Sequence, residues 1–255
     1  MNKINESIGN NNFRLMLNNI NKIIGNNHNN ILMMNNLNSS LEKCRSILSS
    51  AKNQNIKICK MFLLFDCLVP EIMLDKRGDC TSGWRQNGQN GPPSYLKNFN
   101  PPIGWIAIGI NVLDKYDNGD NTWLGTANIK GEWYIGYHGI RNKNAINGIL
   151  RNGFIIGPRQ NYEESYNNNI LTQNSHMLCD KGAYFTPEID EAKKYTGIIK
   201  YNEYNLRIVF MCRINPKKVR IAELGSNKEY WLTNGTTDEV RPYRILIKFD
   251  DNNIQ

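Results

Sequence analysis

The chain has no Cys-x-x-Cys pair, and none of its six cysteines, Cys44, Cys59, Cys67, Cys80, Cys179 and Cys212, has a companion histidine at metal-ligand spacing. That pattern argues against a zinc site, and no metal is expected. No stretch approaches the ~20 apolar residues that cross a bilayer, and Lys3, Glu6 and Arg14 interrupt any apolar run near the start. The expectation is a protein with no membrane association, intracellular (cytoplasmic or nuclear), with reduced, free thiols. Massed charge is also missing. The 31 Lys and Arg exceed the 23 Asp and Glu by 8, but they are scattered apart from short pairs such as Lys193-Lys194 and Lys217-Lys218. A solvated basic surface is the plain reading, and nucleic acid, an acidic acceptor or a pyrophosphate would suit the same field.

What is present divides the chain by texture. Residues 1–36 are crowded with Asn, yet Phe13, Leu17, Ile20 and Ile24 recur at helical steps. Ser39-Ser40-Leu41-Glu42 then reads as a capping box ahead of Leu41, Cys44, Leu48 and Ala51 on one face, so residues 1–60 are expected to form a helical N-terminal region. The apolar run from Met61 to Met73, broken by Pro70, belongs to a buried core. From Asp75 to Pro102 Gly, Asn and Pro predominate, including Gly91-Pro92-Pro93, which predicts irregular surface chain. Residues 61–130 are expected to be an irregular lead-in packed on the unit that follows. Asp114, Asp117 and Asp120 superficially suggest a calcium loop, but the alternation and closing Glu of an EF-hand are missing, so a tight turn is expected.

Residues 131–255 carry clearer periodicity. Trp133, Ile135 and Tyr137 fall on one face of a strand, which puts His138 at its end. Ala145, Ile146, Ile149 and Leu150 follow at helical spacing and stop before Asn152-Gly153, a C-cap signal. Gly182 to Thr186 reads as a short strand, and Pro187 opens a helix that runs to Tyr195. Further strands are expected at 207–213, 219–222 and 230–233. A closing strand alternates Tyr243, Ile245, Ile247 and Phe249 with Arg244, Leu246, Lys248 and Asp250. The class is α+β.

Three runs then coincide in order: Tyr137-His138-Gly139-Ile140-Arg141, Gly148 to Phe154, and Gly182-Ala183-Tyr184-Phe185 with Tyr195 eleven residues after Tyr184. Together with Glu229-Tyr230-Trp231-Leu232 and the strand from Pro242 to Lys248, they resemble the catalytic domain of poly(ADP-ribose) polymerase-like ADP-ribosyltransferases. The resemblance covers about residues 131–250. It implies a split mixed β-sheet with flanking helices around an NAD cleft, NAD serving as co-substrate. It also implies that His138 binds a ribose hydroxyl and that the Gly139 backbone grips the nicotinamide amide. Tyr184 and Tyr195 would sandwich the ring, Arg141 would join the dinucleotide contacts, and Glu229 would be the catalytic carboxylate together with His138 and Tyr184. A carboxylate beside the ribose balances the positive charge that develops as the nicotinamide bond breaks. The loop with Tyr162, Tyr166 and His176 would cover the dinucleotide.

Glu239 is the competing carboxylate, but only Glu229 leaves room for a strand and a turn before the closing strand. Two positions depart from the family pattern. Ile140 stands where Ser or Thr usually follows His-Gly, and Ala192 stands where a small hydroxyl residue lies three before the second Tyr. Each removes a hydrogen bond of about 0.5–1.5 kcal/mol to the ligand. The expectation is mono-ADP-ribosyl transfer to a protein acceptor, with a nucleic-acid acceptor as an alternative. A catalytically weak NAD or ADP-ribose binding module and a basic nucleic-acid binder are the competing readings.

Overall fold

The longest strand explains the architecture because most of it is buried on both faces. In the computed structural model, which describes residues 54–80, 101–127, 129–156, 182–223 and 229–250, strand β5 (Tyr204–Ile214) is buried at every position from Ile208 to Ile214. A strand covered on both sides needs no alternation, and this one reads as an unbroken apolar run from Ile208 to Cys212. It pairs with β8 (Val240–Phe249) on one side and β2 (Tyr134–Ile140) on the other, while β1 (Ile106–Gly109) closes the far edge against β8. Strand β4 (Ile199–Tyr201) folds back onto β5 through a two-residue turn in which Asn202 takes φ 51°. A second sheet of three strands has the order β3 (Ala183–Phe185), β7 (Glu229–Thr233), β6 (Arg220–Glu223). Among the described residues the α-helices are α1 (Gln54–Met61), α2 (Asn144–Asn152) and α3 (Ile189–Lys194). Helix α2 ends as its sequence predicts, at Gly153 with φ 76°.

The class is α+β as expected, with the described strands in two sheets, but no mixed pairing is found among the described residues. Every pairing among the described residues is antiparallel, because β4 and β5 are joined by a hairpin and the remaining neighbours run in opposite directions. The stretch read as an irregular lead-in supplies a strand. Ile106, Ala107, Ile108 and Gly109 pair with Arg244 to Ile247, and Cys59, Phe62, Leu63, Trp105 and Ile108 share one core with Ile208 and Ile245. The register of β8 against β5 slips between Met211 and Cys212, and Pro242, which has no N–H to donate, lies at that slip. The expected N-terminal helices around Leu17 and Leu41 and the covering loop with Tyr162, Tyr166 and His176 lie outside the described residues.

Two buried arginines set the start of β2. Arg213 donates to the carbonyls of Trp133 (2.8 Å), Leu124 (2.8 Å) and Gly125 (2.9 Å), tying the turn at Thr122–Leu124 to the first residue before the strand. Arg241 lies among the rings of Tyr116, Trp123 and Trp133 and makes a two-pronged bond to Asp117 (2.6 and 2.8 Å). Its fork matches the carboxylate geometry, and its flat face suits aromatic contact. The other two carboxylates of the calcium-like stretch are engaged locally, Asp114 by Asn121 and Asp120 by Thr122, as a turn requires.

Candidate functional site

Among the described residues the two sheets exchange backbone hydrogen bonds at the Tyr137–Thr186 bridge. Tyr137 N donates to Thr186 O (2.8 Å) and Thr186 N donates to Tyr137 O (3.1 Å). One residue further on the strands part, and the His138 ring fills the gap, its Nδ1 2.8 Å from the Tyr184 carbonyl. A carbonyl only accepts, so Nδ1 carries the proton and the neutral ring presents Nε2 as an acceptor. The ring is half-buried against Phe154 (5.0 Å between centroids) and Phe185 (5.4 Å). Burial lowers its pKa from the ordinary 6.5, a larger effect than the opposing pull of the Tyr184 carbonyl.

At Gly139 strand β2 lies directly against the end of α3. A methyl group there would lie 2.4 Å from Ala192 O and 3.1 Å from Tyr195 Cβ, so no side chain fits. Because Tyr137 directs its N–H and C=O away from β5 towards Thr186, the alternation of an edge strand directs those of Gly139 the same way. The Tyr184 carbonyl that would have met them is taken by His138. Gly139 therefore offers a donor and an acceptor side by side, next to Tyr195. Ile140 is buried and its carbonyl receives Gly197 N (3.1 Å), while Arg141 is exposed just beyond the strand.

The register of β3 against β7 sorts the remaining candidates by face. Tyr184 opposes Leu232 and Phe185 opposes Trp231. Alternation then puts Tyr184, Leu232 and Tyr230 on one face, and Phe185, Trp231 and Glu229 on the other. The Tyr195 hydroxyl meets the Tyr230 hydroxyl at 2.9 Å, with the rings edge to face at 6.2 Å. Tyr230 gives its only proton to Glu191 Oε1 (2.6 Å), so Tyr195 is the donor in that pair. Glu191 is buried, and its second oxygen accepts from Lys194 Nζ (2.6 Å). Burial, and then the bond to Glu191, pushes the Tyr230 phenol well above its ordinary 10.

His138, Gly139, Tyr184 and Tyr195 thus come together around the parting of the sheets, and Glu229 does not join the tyrosines. Its carboxylate lies on the opposite face of β7, where it accepts from the indole Nε1 of the fully buried Trp231. The cause is the two-residue period: a one-residue step along β7 exchanges faces. Glu239 closes the turn before β8 by accepting from Asn234 N and Asn234 Nδ2. Sequence reasoning missed Tyr230 and Glu191. Alternation within Glu229-Tyr230-Trp231 already says that Tyr230 and Glu229 diverge, but which of them faces the tyrosines depends on the pairing with β3.

Among the described residues no group of three His, Cys, Asp or Glu is placed to hold a metal, no helix is long and apolar enough to cross a membrane, and Cys59, Cys67 and Cys212 are free thiols. No protein-family model and no curated protein matches the chain.

Proposed function

We propose that the protein transfers ADP-ribose from NAD to a protein acceptor and releases nicotinamide. The observation that carries this reading is Gly139. A backbone donor and acceptor on an open strand edge complement a carboxamide, and the adjacent Tyr195 ring offers a flat surface for the aromatic ring that bears it. His138 supports the same reading, since its Nδ1–H is committed to the Tyr184 carbonyl and its neutral Nε2 is an acceptor suited to a sugar hydroxyl. NAD, when bound, supplies the glycosidic bond that breaks. The protein's part is to hold the carboxamide at Gly139, stack the ring on Tyr195 and steady the ribose at His138.

One observation favours a second reading, a binding module without transfer. Glu229, the carboxylate that the resemblance puts beside the ribose, is on the far face of β7, and Ile140 and Ala192 bring no hydroxyl. Thermal melting tests the element common to both. A ligand bound only by the native state stabilises it by about 2.7 kcal/mol at a hundredfold excess over Kd, which for a chain of this size raises the midpoint by roughly 5–10 °C. NAD is expected to produce that rise, and an unchanged midpoint at saturating NAD contradicts both readings.

A further inference from the structure

We infer that Glu191 is the positioning carboxylate of this site, holding Tyr230 and, through it, Tyr195 at the angle that faces Gly139; the inference rests on the NAD reading above. The connection is continuous. Lys194 Nζ bonds Glu191 Oε2 (2.6 Å), Glu191 Oε1 accepts from Tyr230 (2.6 Å), and Tyr230 accepts from Tyr195 (2.9 Å). Glu191 and Ala192 are adjacent on α3, and the Ala192 carbonyl lies against Gly139, so one turn of helix carries both the backbone wall of the cleft and the group that orients its aromatic side. The Glu191 side chain is only 6 % exposed, whereas its partner Lys194 is 64 % exposed. A buried carboxylate that uses both oxygens is a costly feature unless it fixes something, and what it fixes here is a pair of phenols. A tyrosine ring held by its hydroxyl keeps one rotamer, which lowers the entropy lost when a flat ligand stacks on it.

The test uses Glu191→Gln, which removes the charge and keeps the shape, and Tyr230→Phe, which removes only the middle hydroxyl. Both are measured in the full chain by melting and by NAD titration. Each variant is expected to fold and to bind NAD roughly tenfold more weakly, the scale of one hydrogen bond to a charged group. Because the two groups act through one connection, the double variant is also expected to lose roughly tenfold rather than a hundredfold. Wild-type affinity in the folded single variants, or losses that multiply, overturns the proposal. So does a result in which Glu229→Gln weakens binding and Glu191→Gln does not.

A second arm is independent of NAD. In a spectrophotometric phenol titration, Glu191→Gln is expected to lower the midpoint of one tyrosine relative to wild type, with burial still holding it above its ordinary value, and Tyr230→Phe is expected to abolish that difference. Identical titration curves for wild type and Glu191→Gln overturn the connection itself. Failure of the wild type to bind NAD, with the titration difference present, defeats the NAD reading and the positioning role while leaving the connection standing.

Discussion

Gly139→Ala is expected to lower NAD affinity at least a hundredfold while the protein remains foldable. The added methyl would lie 2.4 Å from Ala192 O and 3.0 Å from the Tyr195 carbonyl carbon, and both are backbone atoms. Neither can rotate away, so the end of α3 has to move outward as a unit, taking Tyr195 and Glu191 with it. Overpacking of this kind costs about 1–3 kcal/mol in stability. The effect on binding is expected to be larger because, on the proposed reading, the carboxamide sits on that strand edge and the shift carries the Tyr195 ring away from it. Gly148 gives the contrast: a methyl there meets nothing within 4 Å on helix α2, so Gly148→Ala is expected to stabilise the protein slightly. Melting and NAD titration of the two variants separate the effects. Normal NAD binding by Gly139→Ala would show that the Gly139 edge is not the ligand contact.

Tyr195→Ala is expected to weaken NAD binding between tenfold and a hundredfold with little loss of fold. The ring is half-buried and stands at the end of α3 rather than in the core between the sheets. Stacking on an aromatic face contributes about 0.5–1.5 kcal/mol beyond burial, and removal of the hydroxyl also releases Tyr230 from its donor. Tyr195→Phe keeps the ring, so its expected loss is intermediate. An unfolded Tyr195→Ala whose folded fraction binds NAD normally would mark Tyr195 as a packing residue.

Local elements were the legible part of this chain. The end of α2 at Gly153, the strand from Tyr134 to Ile140 and the closing strand through Ile245 and Ile247 follow from spacing and caps that involve only near neighbours. Pairing was not legible. Strand β1 meets β8 far along the chain, and its four residues are all buried, so no alternation marks Ile106–Gly109 as a strand. The same limit governed the site. His138, Gly139 and Tyr195 are placed by short motifs, whereas the choice between Glu229 and Tyr230 as neighbour of Tyr195 depends on Leu232 opposing Tyr184, a register fixed by tertiary packing. Glu191 was hidden for a related reason. A Glu on a six-residue helix rich in charge reads as a solvated side chain until the fold buries it against Tyr230.

Transfer, as distinct from binding, turns on one measurement: incubation of the purified chain with NAD labelled in its adenosine part, with nicotinamide release and protein-bound label followed together. Both are expected to appear in parallel, to depend on NAD concentration, and to fall in Tyr195→Ala and Gly139→Ala. A wild-type protein whose melting point rises with NAD but which releases no nicotinamide and takes up no label, alone or with added protein acceptor, would contradict transfer and leave a binding module.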